Sequence, residues 1–201
     1  MMIDWGQWGL WLLAVLVLGL ALGGADAWRK LRPKGQGAAM DEIRNGQWTT
    51  SLVTGSKAAD NLSRARIAIY GLLALDRKET VYYMTGTDDR GEPLTSDRDY
   101  VIEGQPLRAR WWSITPYDME MFLIDNEEKR SSFHMDNIEY EPDGRFRILL
   151  SGRRQARNWL PTGKAGPFCL TLRLYNPDMD YVNRPGQVVL PVVRRIEGDA
   201  A

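Results

Sequence analysis

Arg108-Ala109-Arg110-Trp111-Trp112-Ser113-Ile114-Thr115-Pro116-Tyr117-Asp118 decides how the rest of the chain is read. Two tryptophans and the β-branched Ile114 and Thr115 favour a pleated strand, and Pro-Tyr-Asp reads as the turn that stops it. The same signal recurs on both sides. Upstream, Glu79-Thr80-Val81-Tyr82-Tyr83-Met84-Thr85 is rich in β-formers, residues 87–93 read as a turn, and residues 99–104 as a second short strand. Downstream, residues 121–124 read as strand. Residues 133–140 and 145–150 flank Glu141-Pro142-Asp143-Gly144, a hairpin signal. In residues 168–175 the alternation is clean: Phe168, Leu170, Leu172 and Leu174 share the inward face, with Cys169, Thr171, Arg173 and Tyr175 on the other. Residues 188–193 read as a last strand, and Pro191 inside it predicts an edge. Many short strands at regular spacing predict a mainly β protein, an antiparallel β-sandwich of jelly-roll type.

Ahead of these strands, Asn45-Gly46-Gln47-Trp48 opens the folded part with a turn. Ser56 or Asp60 is placed to cap a helix running to about Leu75. Its apolar positions Leu62, Ala65, Ile69 and Leu72 or Leu73 fall at helical spacing, which predicts a helix packed on one side of a sheet.

The first part of the chain is different in kind. From Trp5 to Ala25 there is no charged residue, and the stretch is long enough as a helix to cross a bilayer core of roughly 30 Å. Trp5, Trp8 and Trp28 lie near its ends, where indoles favour the interface. Arg29, Lys30, Arg32 and Lys34 follow, placed to touch lipid headgroups or to set topology. Three parts are expected: a transmembrane anchor over 5–27, a basic flexible linker over 28–44, and the β-domain over 45–197. The basic residues after the anchor favour a cytoplasmic domain. Ala25-Asp26-Ala27 has the small-x-small form of an export cleavage site, but no positive region precedes the apolar run. An uncleaved single-pass anchor in a bacterial inner membrane is the expected arrangement, with the lipid bilayer as a partner.

Charge and cysteine usage exclude some classes. The 26 basic residues balance 26 acidic ones, so no overall field draws nucleic acid. One cysteine, Cys169, excludes an internal disulfide framework.

Three patterns occur in order: Ala109 to Asp118 as quoted, Asn158-Trp159-Leu160-Pro161-Thr162-Gly163, and Leu172-Arg173-Leu174-Tyr175-Asn176-Pro177. Together they resemble the bacterial domain-of-unknown-function family numbered 1214. Arg64-Ala65-Arg66-Ile67-Ala68 and Glu79-Thr80-Val81-Tyr82-Tyr83 are also similar to it, so the likeness covers roughly residues 45–195. The resemblance implies a jelly-roll β-sandwich and, for short members with an apolar N-terminal segment, export or envelope tethering. It carries no catalytic residues. The chain departs from the usual short member in placing its basic cluster after the apolar segment. Resemblance therefore favours a periplasmic domain, and charge a cytoplasmic one.

Reactive chemistry is sparse. Ser113, His134 and Asp118 supply a serine, histidine and aspartate, but Ser113 lacks the Gly-x-Ser-x-Gly elbow that exposes a nucleophile. A single histidine and a single cysteine make no zinc set. Asp88, Asp89 and Glu92 share one turn without calcium-loop spacing. No metal and no cofactor is expected. The best candidate site is aromatic and polar: Trp112, Tyr117, Asp118, Asn158, Trp159, Arg173 and Tyr175 as the lining of one groove. Flat rings stack on sugars, while Asn and Arg fix polar groups. Arg173 interrupts an apolar strand on its non-core face, where it must be solvated, paired with a carboxylate such as Asp118, or aimed at a ligand. The alternative is structural, with Asn158 bonding a turn backbone, Trp159 plugging a core and Arg173 bracing the sheet.

The expected function is a membrane-tethered binding or scaffolding module of the envelope, with a glycan or other envelope ligand and self-association into a homo-oligomer as expected partnerships. The alternative is a hydrolase acting on envelope glycan or lipid through carboxylates such as Asp118, Asp125 and Glu139.

Overall fold

The computed structural model describes residues 5–31, 42–51, 59–69 and 75–197. The apolar N-terminal run forms α1 (Trp5–Leu31), 27 residues and therefore about 40 Å long. Leu10, Trp11, Leu12 and Leu13, which lie on different sides of it, are all exposed. A helix apolar all round whose apolar run is left exposed is suited to lipid, because its backbone bonds are satisfied internally. It is long and apolar enough to anchor in a membrane.

Strands follow. β1 (Glu42–Asn45) and β2 (Trp48–Ser51) form a hairpin over Gly46-Gln47, where Gly46 takes φ +60° at no steric cost. The sheet therefore starts three residues before the boundary expected at residue 45. α2 (Asn61–Ile69) comes next, then β3 (Thr80–Thr85), β4 (Tyr100–Gly104), β5 (Ala109–Asp118), β6 (Phe133–His134) and β7 (Phe146–Ser151). β8 (Trp159–Pro161), β9 (Phe168–Pro177), the short helix α3 (Met179–Asn183) and β10 (Val192–Arg195) complete the described chain. Two sheets result: a six-stranded one ordered β1-β2-β3-β9-β5-β6 and a four-stranded one ordered β10-β4-β7-β8.

The apolar alternation read in the sequence builds the core between them. Trp112 and Ile114 of β5 lie opposite Leu174 and Leu172 of β9, and all four are buried. The four-stranded sheet meets them with Tyr100, Ile102, Phe146, Ile148 and Leu150. Trp112 stacks on Phe146 at 5.0 Å between ring centroids, and Tyr100 meets Phe168 edge-on at 6.0 Å. Gly104 leaves room for that stack, since a Cβ there would lie 2.7 Å from Phe146 Cζ. Trp48 closes one end, its Nε1 donating to the Pro191 carbonyl at 2.6 Å.

Several local expectations are corrected. Residues 121–124 are not a strand; Tyr117 and Leu123 form an isolated bridge. The Asp118 carboxylate accepts from the backbone of Glu120 and Phe122, which folds the chain into a turn instead. In 133–140 only Phe133 and His134 are strand, paired with β5, because the Asn137 side chain accepts from the His134 N–H and starts a turn. The 141–144 turn is present, with Gly144 at φ +80°, but closes on a single bridge, Tyr140 to Phe146. β7 and β8 run parallel, against the antiparallel expectation. β8 is only three residues long, so the chain need return only about 10 Å and manages it without a crossover helix. β10 is an edge strand as read, but begins after Pro191 rather than containing it. α2 is described over Asn61–Ile69, the rest of the expected helix, residues 70–74, lying outside the described residues; among the described residues its chief contact is with α1, not the sheet, and Arg64 and Ala68 are exposed. Ser56, Leu72 and Leu73 lie outside the described residues.

Candidate ligand-binding face

The register of β5 against β9 assigns every proposed groove residue to a face. Pairs run without interruption from Ala109 opposite Pro177 to Asp118 opposite Phe168. Trp112, Ile114, Pro116 and Asp118 therefore share one face, and Trp111, Ser113, Thr115 and Tyr117 the other. Trp112 is in the core. Tyr117, Arg173 and Tyr175 stand on the opposite, outer face of the six-stranded sheet. Trp159 belongs to the other sheet, buried, with its Nε1 donating to the Ser151 carbonyl at 2.9 Å. The seven residues do not line one groove.

Arg173 sits in the middle of the outer face. Across the strands, one row reads Tyr82, Arg173, Ser113, His134. The next row on one side is Thr80, Tyr175, Trp111, and on the other Met84, Thr171, Thr115. Arg173 Nη2 donates to the Tyr117 hydroxyl at 2.7 Å, and its guanidinium lies 5.3 Å from the Tyr117 ring centre. Those two side chains start on either side of the Thr115–Thr171 row and meet over it, and both threonines are buried, as are Thr80, Ser113 and Cys169 of the same face. The Thr171 hydroxyl beneath them has no hydrogen-bond partner. Among the described residues Arg173 meets no carboxylate, unlike Arg108, Arg147 or Arg194. Asp118 cannot serve, since it lies on the other face and its oxygen is used in its own turn.

One row away is a rigid aromatic platform. Trp111 donates through Nε1 to Asp136 at 2.7 Å, stacks on His134 at 5.2 Å, and meets Tyr175 edge-on at 5.5 Å. The indole is half-buried and held on three sides. Tyr82 borders it; burial pushes its phenol above the usual range, the neighbouring Tyr175 adds to this, and the Arg173 charge opposes it.

Asn158 takes a different role. At φ +29° it is buried, its Nδ2 donating to the Glu139 carbonyl at 2.6 Å and its Oδ1 accepting from the Glu139 N–H at 2.9 Å. Both amide ends are used on one backbone unit. Asn158→Ala leaves that unit unsatisfied in a positive-φ position, so a loss of about 1–3 kcal/mol in a denaturant titration is expected, with no effect on any ligand of the outer face. An unchanged midpoint would contradict this assignment.

The remaining candidates separate. Asp88 is buried and accepts from the backbone of Arg90 and Glu92, organising its turn, while Asp89 pairs with Arg194. Ser113 lies opposite His134, but the aspartate beside that histidine is Asp136, not Asp118, and the Asp136 N–H donates to His134 Nδ1 at 3.3 Å. Glu139 is exposed, 3.6 Å from Arg157. Cys169 is buried, its sulfur 3.9 Å from that of Met121. Among the described residues no cluster of His, Cys, Asp and Glu is gathered to hold a metal. Arg29 and Lys30 close the last turn of α1, both paired with Asp26 at 2.9 and 2.7 Å; Arg32 and Lys34 lie outside the described residues.

The platform residues missed in the sequence are Trp111, His134, Asp136 and Tyr82. The signal for the first was present. Trp112 and Tyr117 are five apart, so they cannot share a face in an unbroken strand, whereas Trp111 and Tyr117 can. His134 and Asp136 join only through the β5–β6 pairing, which their own residues do not announce.

Residues 79–179 match the model of a family described as "Protein of unknown function (DUF1214)". Among solved structures, the crystal structure of the VPA0106 protein from Vibrio parahaemolyticus is similar at 25% identity and a TM-score of 0.58, covering 70% of this chain and 36% of that one. An uncharacterised protein from Burkholderia cenocepacia aligns at 16% identity and a TM-score of 0.44, over 88% of this chain and 41% of that one. The chain thus spans little more than a third of the length of the Vibrio protein. No curated protein matches it.

Proposed function

The chain belongs to the DUF1214 family of proteins of unknown function, and from that premise we propose that it is a short, membrane-anchored member serving as a binding module of the bacterial envelope. Its ligand lies on the outer face of the six-stranded sheet. The supporting observation is Trp111: a half-exposed indole fixed by Asp136, His134 and Tyr175 before any ligand arrives. A rigid, partly open aromatic ring is a low-entropy platform for a sugar or other flat ring. The jelly-roll arrangement is the form that the family resemblance implies for the two sheets. The domain stands on the periplasmic side, where envelope glycan is within reach of a tethered body. The hydrolase alternative draws no support from the site, because Asp118 is committed to its turn and Glu139 lies exposed beside Arg157.

The test is co-sedimentation of the full-length protein, in detergent, with insoluble cell-wall material. The parent is expected to pellet with the wall, and Trp111→Ala to remain in the supernatant while keeping its fold. Equal pelleting of both, or of neither, would overturn the reading.

A further inference from the structure

We infer that the outer face takes a ring-bearing monoanion: a single carboxylate on Arg173 with the six-membered ring that carries it lying on Trp111 and Tyr175. This rests on the binding reading above and names the ligand chemistry of the same face. The argument begins with the hydrogen-bond inventory of Arg173. A guanidinium has five N–H donors, and the acceptor this one meets is the Tyr117 oxygen, at 2.7 Å. A phenol oxygen that accepts from arginine has its own proton left to donate. Arg173 and Tyr117 therefore offer donors side by side, with no carboxylate among the described residues to receive them. Beneath their bridge, the Thr171 hydroxyl is fully buried and also without a partner.

The charge count selects the anion. The other arginine that the strand register places on this face, Arg44 of β1, stands three strands away from Arg173 and is already paired with Glu42 at 3.4 Å. A phosphate monoester, near two negative charges, calls for more than one guanidinium; a carboxylate matches one, in the paired geometry that arginine favours. Tyr175 is next to Arg173 on the same face of β9 and Trp111 lies across from Tyr175. With successive same-face residues about 6.5 Å apart along a strand, the platform is one ring-width from the charge. A pyranose uronic acid and an aromatic carboxylate both have this shape.

The experiment is a ligand-observed NMR titration of the full-length protein in detergent micelles with sodium glucuronate, sodium benzoate, glucose and inorganic phosphate. Saturable binding of glucuronate or benzoate, with glucose and phosphate weak, is expected; which of the two binds identifies the sugar or the aromatic source. Arg173→Met is expected to weaken that binding roughly tenfold or more, the size of one charge-assisted hydrogen bond. Arg173→Lys should recover only part of it, because an ammonium is not a planar fork. Should Arg173→Met fail to fold, Tyr117→Phe keeps the ring and removes the hydroxyl, and is expected to weaken binding severalfold. Binding of neither carboxylate, phosphate binding as well as glucuronate, or affinity indifferent to both substitutions would overturn the inference. Wall material that still binds through Trp111 while both carboxylates are silent would overturn this inference alone and leave the binding module standing.

Discussion

Trp112→Ala is expected to destabilise the domain by about 3–5 kcal/mol, and its neighbour Trp111→Ala by about 1 kcal/mol. The two residues are chemically identical and adjacent, so the difference isolates the face on which each stands. Trp112 is fully buried, stacked on Phe146 across the gap between the sheets, and flanked by Leu174 in register. Its removal leaves a cavity bounded by both sheets, which cannot close without moving one of them. Trp111 is half-exposed and loses one hydrogen bond to Asp136 and two ring contacts. Chemical denaturation of the two variants measures this directly. If Trp112→Ala proves too unstable to purify, Trp112→Phe, which keeps a ring against Phe146, should still fall below Trp111→Ala. The reverse order would mean that the β5 register is shifted by one residue, which exchanges the core and the outer face throughout the strand.

Leu16→Arg with Leu20→Arg should release the protein from the membrane. Both leucines are exposed on α1 in the middle of its apolar run. On the insertion scale a central arginine costs about 2.5–3.5 kcal/mol, where a leucine is favourable by a few tenths, so the pair shifts the balance by roughly 6 kcal/mol. That is enough to reverse a spanning helix, yet it touches nothing in the β-domain. Fractionation should move the variant from membrane to soluble material. A C-terminal alkaline phosphatase fusion, which works only outside the cytoplasm, should be active on the parent and silent on the variant. A variant that stays in the membrane would show attachment by other means, and a silent parent fusion would place the domain on the cytoplasmic side, as the basic residues after α1 suggest.

Much of this architecture was legible in single residues. The alternation of Phe168, Leu170, Leu172 and Leu174 places β9 in the centre of a sheet, and Asn45-Gly46 announces the first hairpin, because each signal is local. Long-range pairing was less accessible. Residues 133–140 are rich enough in apolar side chains to read as one strand, yet Asn137 captures the His134 N–H and ends it after two residues. Asp118 was counted as a partner for Arg173, but its carboxylate is spent two and four residues ahead. α2 has a weak stripe at helical spacing, and such a stripe does not say whether a sheet or another helix will receive it. Of the residues proposed for the groove, Tyr117, Arg173 and Tyr175 share a face, while Trp112 and Trp159 are core residues, because strand parity and not ring type decides which face a side chain takes. Asn158 has a structural role, the clamp on the Glu139 backbone.

Oxidative footprinting read by mass spectrometry, with and without envelope glycan bound to the full-length protein, tests the central claim most directly. Trp111, Tyr117 and Tyr175 are expected to label in the free protein and to be protected by the ligand, while Trp112 and Trp159 stay unlabelled in both states. Protection confined to residues of the four-stranded sheet, with Trp111 and Tyr175 still labelling freely, would contradict the assignment of the site to the outer face.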